Sequence, residues 1–145
     1  MITKRSISTV LLAIQVGPSC SSLPSELEPF DGDFSYTAFD DEGTRVLDGT
    51  LRLEVRSNGS LSGSWEIKRV AGTDPETVVG PQVGEGELVG SIEEGQLIVN
   101  LNPGFADNNV GLVGVVEDQA IMGTWSYVTF AGPTAGGDFT AEKLR

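Results

Sequence analysis

The sequence predicts an all-β domain, an eight-stranded antiparallel up-and-down (meander) β-barrel, with a β-sandwich as the alternative. Three observations lead there. Apolar and polar residues alternate with period two over most of the chain beyond residue 30, and no segment there holds a 3.6-residue period. Glycine is abundant, 19 in 145 residues, without a collagen-like period, which suits many tight turns and close strand contacts. Finally, Leu61-Ser62-Gly63-Ser64-Trp65 recurs as Ile121-Met122-Gly123-Thr124-Trp125, and the repeat marks equivalent positions on two hairpins.

The strands follow in order. Thr50 to Arg56 alternates without error, and Asn58-Gly59 comes next. Asn-Gly is a strong hairpin signal because a type I′ turn needs positive φ at both central positions. The following segment puts Leu61, Gly63, Trp65 and Ile67 on one face and Ser62, Ser64, Glu66 and Lys68 on the other. The same reading places strands near 30–39, 46–56, 60–70, 83–92, 96–102, 109–116, 120–130 and 136–144. Joined as antiparallel neighbours, eight such strands can close and leave no free edge.

The inner-face candidates are Phe34, Tyr36, Leu51, Leu53, Val55, Trp65, Ile67, Leu88, Ile92, Leu97, Val99, Leu101, Leu112, Trp125, Tyr127 and Phe139. In the repeated unit the glycine lets the strand bend or a ring pack over it, and the Trp is expected to fill the space it vacates. Leu88-Val89-Gly90 and Leu112-Val113-Gly114 look like the same device without the aromatic. Five of the inner residues, Phe34, Tyr36, Trp65, Trp125 and Tyr127, are candidate ligand contacts. Their competing role is plain core, since barrels this small are often filled by side chains.

The two ends of a meander differ. Ser57–Gly59, Glu93–Gly95 and Glu117–Gln119 fall at one end as tight turns. Asp40–Thr44, Ala71–Gln82, Pro103–Asn108 and Ala131–Ala135 fall at the other, mostly longer and rich in Gly and Pro. Ligand sites favour such a looped mouth. Outside the barrel, Val89, Ile98, Val113, Val115, Met122, Val128 and Phe130 point outward on the later strands, where the early strands carry charge. An apolar stripe of this kind implies a covering partner, and Val113, Val115, Met122, Val128 and Phe130 are its candidate residues. That partner is another protein, a second protomer or the N-terminal segment.

The first twenty residues, MITKRSISTVLLAIQVGPSC, read differently. Lys4 and Arg5 form a basic start, and Ile7 to Val16 an apolar run too short to span a bilayer but suited to a secretory signal. Cys20 follows, then the polar spacer SSLPSELEP. This order resembles a bacterial lipoprotein precursor, although Gly17 and Pro18 stand where lipoboxes usually carry Leu and a small residue; Ser19 fits. The resemblance implies a signal peptide over 1–19, a lipidated Cys20 with a flexible tether to residue 29, and a barrel domain over 30–145. It also implies an extracytoplasmic protein of the cell envelope, with secreted or periplasmic location as the alternative. Ser21 rather than Asp after the Cys is compatible with outer-membrane sorting. Removing 1–19 takes away two bases and no acid.

Charge and residue types narrow the function. The formal net charge is −12, with 21 acids against 9 bases, which argues against nucleic acid or an anionic bilayer surface as partner. The chain has no His and one Cys, which removes the commonest general base, an internal disulfide and a Cys-based zinc site. Asp31-Gly32-Asp33 and Asp40-Asp41-Glu42 are oxygen-rich in the manner calcium prefers, but they lack the twelve-residue loop spacing and are expected to be turn and solvent-face acids. No cofactor, metal or catalytic set is expected. The alternating strands, the Gly-x-Trp units and the C-terminal Gly136-Gly137-Asp138-Phe139-Thr140-Ala141 resemble the calycin group of lipocalin-like and avidin-like barrels. The first strand departs from the lipocalin pattern, with Phe34 where those proteins carry Trp. The resemblance implies a non-enzymatic, membrane-tethered barrel that binds a small apolar or amphipathic ligand at its looped end. The alternative is a protein-interaction module acting through its outer surface, similar to small periplasmic protease inhibitors.

Overall fold

In the computed structural model, residues 30–145 and Gly17 are described; Cys20 and the rest of the expected signal segment and tether lie outside the described residues. Eight strands follow one another, β1 (Gly32–Phe39), β2 (Arg45–Val55), β3 (Ser60–Arg69), β4 (Gly84–Glu93), β5 (Gln96–Asn100), β6 (Asn108–Glu117), β7 (Ala120–Thr129) and β8 (Gly132–Lys143). Each pairs antiparallel with its neighbours, and β8 pairs back onto β1 to close the ring. Phe34 faces Lys143, Tyr36 faces Ala141 and Ala38 faces Phe139 across that seam. The closed seam excludes the β-sandwich.

Alternation does what the sequence expects of it. Phe34, Tyr36, Leu51, Leu53, Trp65, Ile67, Leu88, Ile92, Leu97, Val99, Leu101, Leu112, Trp125 and Phe139 are all buried, while Val55 and Tyr127 are partly buried against them. The core holds more than that list. Val46 and Leu47 are both buried because a register shift between Ala38 and Phe39 inserts one residue into β2, and such a bulge breaks the period-two count. Ala38, Leu61, Val110, Ile121 and Ala141 complete the wall, and Val79 and Gln82 come from a loop.

Two expectations about turns need correction. At Asn58-Gly59 only Gly59 has positive φ (83°). Gly59 N–H donates to Arg56 O (2.9 Å) and Asn58 Oδ1 accepts from Ser60 N–H (3.0 Å), so the loop is longer than a two-residue I′ turn. Both residues of Glu94-Gly95 do have positive φ, 51° and 78°, as I′ geometry requires. The second correction concerns the β7–β8 connection. Ala131–Ala135 is not a loop; Phe130-Ala131 turns directly into β8, helped by Gly132 at φ 100°. A register shift between Tyr127 and Val128 sets Val128 opposite Pro133, and a bulge of this kind accommodates a residue without an N–H.

The repeated glycines also act differently from expectation. A Cβ on Gly63 would overlap the carbonyl oxygen of Arg52, and one on Gly123 that of Val113. They let neighbouring backbones approach where the strands coil, rather than vacating space for their own Trp. The glycine that seats Trp65 is Gly86 on β4, where a Cβ would come 2.7 Å from the indole. We therefore expect Gly123→Ala to destabilise the barrel by about 1–3 kcal/mol, the cost of overpacking, measured by urea denaturation. An unchanged midpoint would mean that the strands can part there at no cost.

A stoppered mouth as the candidate functional site

The inner aromatic residues have their polar atoms committed. Trp65 Nε1–H donates to Leu101 O (2.8 Å) and lies 3.2 Å from Glu87 O. Trp125 Nε1–H donates to Phe39 O (2.7 Å). Phe34 is fully buried, and the Tyr36 ring tilts against Phe139 with centroids 5.8 Å apart. Trp65, Trp125, Tyr36 and Phe34 thus line a packed interior. Tyr127 sits higher, half-buried, and its hydroxyl donates to Asn108 Oδ1 (3.0 Å).

What closes the looped end is the β3–β4 connection. Residues 70–83 fold over the mouth and send Val79 and Gln82 into it, where both are buried. The Tyr36 hydroxyl donates to Gln82 Oε1 (3.0 Å), and Gln82 Nε2–H donates to Val79 O (2.8 Å). Gly80 packs on the Tyr127 ring, closely enough that a Cβ would lie 2.5 Å from it. Residues 78–83 belong to no strand ladder. Side chains therefore hold the stopper, and such a segment opens more readily than a strand.

Arg69 sits at the same end. It shares the face of Trp65 and Ile67, pairs in register with Leu47, and donates through Nη2 to Thr77 O (2.9 Å). Its Nη1 is buried and has no hydrogen-bond partner among the described residues; Thr73 Oγ1 is in the same condition. A buried guanidinium nitrogen without an acceptor is costly and calls for one. Beside the stopper a notch of about 330 Å³ runs between Pro81–Glu87 and Leu101–Gly104 and reaches Trp65. The rim is apolar: Val78, Val83, Phe105 and Phe130 are 46–94% exposed.

The other candidate residues are spread between the outer face and the mouth. Val113, Val115 and Met122 are exposed on the outer face, Val128 is partly buried, and Phe130 stands on the β7–β8 turn at 94% exposure. Cys20 lies outside the described residues. The acidic clusters act in turns: Asp40 Oδ1 accepts from Glu42 and Thr44 N–H, Asp31 accepts from Val55 N–H, and Asp33 pairs with Arg52 at 2.9 Å. The Arg52 guanidinium hydrogen-bonded to Asp33 holds that carboxyl below its ordinary range. Outer grooves of about 800 and 660 Å³ cross β1–β4. Within them Arg45 and Arg52 already meet Asp48 and Asp33, so they offer no buried unpaired group.

Sequence reasoning missed Val79, Gln82 and Arg69. The first two sit in a loop with no period to mark them, and Arg69 looks like the charged end of an exposed strand.

Comparison with known proteins is informative at the level of fold. No protein-family model matches the chain, and no curated protein matches it. Among solved structures it is similar to rhizavidin, at 18% identity and a TM-score of 0.52, over 80% of this chain and 84% of that one. It is also similar to EF1p2_mFAP2b bound to DFHBI, at 10% identity and 0.54, over 81% and 95%. A rhizavidin–biotin complex aligns at 20% identity and 0.49, over 77% and 92%. The chain is an all-β, calycin-like closed barrel.

The mouth makes a prediction about alkali. Burial pushes the Tyr36 phenol far above its ordinary range, because charging it in the core forfeits hydration. In the unfolded chain it ionises near pH ~10. Its contribution to stability is therefore intact below that pH and drains as pH rises from there toward the folded value. Melting temperatures should fall above pH ~10, and less steeply in Tyr36→Phe, which at neutral pH should itself cost about 1–3 kcal/mol by stranding Gln82 Oε1. Identical alkaline slopes in the two proteins would contradict this account.

Proposed function

We propose that the protein is a non-enzymatic binding barrel that takes a small amphipathic ligand at its looped end. The observation that carries the reading is the stopper: a side-chain amide from a mobile class of element occupies the mouth and satisfies the Tyr36 hydroxyl. A ligand carbonyl or carboxylate oxygen can take the place of Gln82 Oε1 as acceptor, and a second such oxygen suits the unpaired Nη1 of Arg69. Its apolar body suits the notch against Trp65 and the rim of Val78, Val83, Phe105 and Phe130. Ligand sites of this type combine an apolar lining with a few placed polar groups. The similar barrel EF1p2_mFAP2b, solved with DFHBI bound, supports the reading at the level of architecture.

Tethering belongs to the same proposal. Gly32 pairs with Leu53 near the Arg56–Gly59 turn, so the chain enters the barrel at the end opposite the mouth. A lipid on Cys20, followed by a short polar tether, would hold the protein at the extracytoplasmic face of a membrane with the mouth turned outward. Three acyl chains exceed the two signals that stable anchoring needs.

Incubation of the purified full chain with native cell extract, followed by mass spectrometry of what it retains, tests the ligand. The expected result is one enriched amphipathic compound that changes Trp fluorescence. Gln82→Ala should tighten its binding, since the ligand no longer competes with the stopper, and Arg69→Met should weaken it. An extract compound that binds equally to all three proteins, or none at all, would sink the reading. Separately, Cys20→Ser should move the protein from the membrane fraction to the soluble one, and continued pelleting would reject lipidation.

A further inference from the structure

Charge is unevenly distributed around the barrel. Between Arg69 and Lys143 the chain contains no Lys or Arg, so β4 to β7 and most of β8 carry acids alone. On the outer face of this half, Ile98 stands opposite Val113 and Val115 opposite Met122, with Val89 diagonal to Ile98. All five are 44–54% exposed. Cross-strand neighbours on one face stand ~5 Å apart, so the five side chains form one continuous apolar stripe over four strands. The fold does not need them, because the inward residues of the same strands already fill the core. Exposed acids frame the stripe: Glu87 and Glu93 on β4, Glu117 on β6, Asp138 and Glu142 on β8.

We propose that this wall docks a cationic, amphipathic polypeptide, with apolar side chains on the stripe and Lys or Arg side chains on the surrounding carboxylates. An apolar centre inside a polar rim is the usual anatomy of a protein interface, and a rim of one sign selects a partner of the other. A second copy laid on the same patch would bring acids against acids with no base to relieve them. An anionic lipid surface is repelled for the same reason. The wall is on the side of the barrel, away from the mouth, so docking here does not depend on ligand binding there.

Titration of the purified full chain with a fluorescent peptide of alternating Leu and Lys tests the proposal. Alternating Leu/Glu and Ser/Lys peptides serve as references, removing the charge match and the apolar face in turn. The Leu/Lys peptide should bind most tightly, and salt should weaken it. Ile98→Ser combined with Val115→Ser keeps the charge and should weaken binding about tenfold or more, as truncating central interface residues does. Asp41→Asn with Glu42→Gln removes two acids from the β1–β2 loop and should leave binding within about twofold, because the loop lies away from the wall. Val113→Thr, which keeps the shape, gives a second stripe variant should the double one fail to fold. Equal binding by wild type and stripe variant overturns the proposal, as does equal binding of the Leu/Lys peptide and either reference peptide. Self-association of the wild type that the stripe variant abolishes would assign the wall to a second copy instead.

Discussion

Closure of the sheet is the constraint on which the rest depends. Once β8 pairs with β1 the ring is closed and every strand has a partner on each side, so the sheet has no outermost strand. Closure also fixes the interior volume, and eight strands enclose just enough to be filled by side chains. Two tryptophans are its largest side chains. Their indole N–H groups would be costly if buried alone, and each finds a backbone carbonyl, Leu101 O for Trp65 and Phe39 O for Trp125. Gly63 and Gly123 let the adjoining backbones come together as the strands coil.

A filled barrel still has two ends, and they are finished differently. At one end short turns such as Glu94-Gly95 seal the strands backbone to backbone. At the other the fourteen-residue span 70–83 bends inward and supplies Val79 and Gln82 as a stopper. Only side-chain bonds fasten it at its inner tip, through Tyr36 and through Gln82 to its own loop. Beside it, Arg69 keeps one nitrogen unpaired among the described residues. The packed interior and the stopper are compatible because the strength of the barrel lies in the ladder, which the stopper does not join. The outer wall divides along another line, with paired charges over β1 and β2 and an apolar stripe framed by acids over β4 to β7.

Much of this was legible before any coordinates. Thr50 to Arg56 and Leu61 to Lys68 assign themselves to faces, because a half-buried strand imposes a period of two on its sequence. Legibility ends where that period is interrupted. Val46 is buried beside Leu47 because a bulge shifts the register there, and alternation cannot register an inserted residue. Pro133 and the glycines around it look like loop, yet a second bulge absorbs the proline and the strand runs from Gly132. Asn58-Gly59 carries the I′ signal, but the I′ dihedrals occur at Glu94-Gly95. Turn preference is weaker than the register that the flanking strands impose.

By itself, the sequence determined the strands, their inward and outward faces and the acidity of the later half, because these follow from local periodicity and residue type. The tertiary structure decided which residues meet across distance. It brought Gln82 to Tyr36 over 46 positions and Phe39 to Trp125 over 86, and it left Arg69 Nη1 without an acceptor among the described residues. Those meetings depend on barrel closure and on the path of a loop without periodicity, which only the assembled three-dimensional packing fixes.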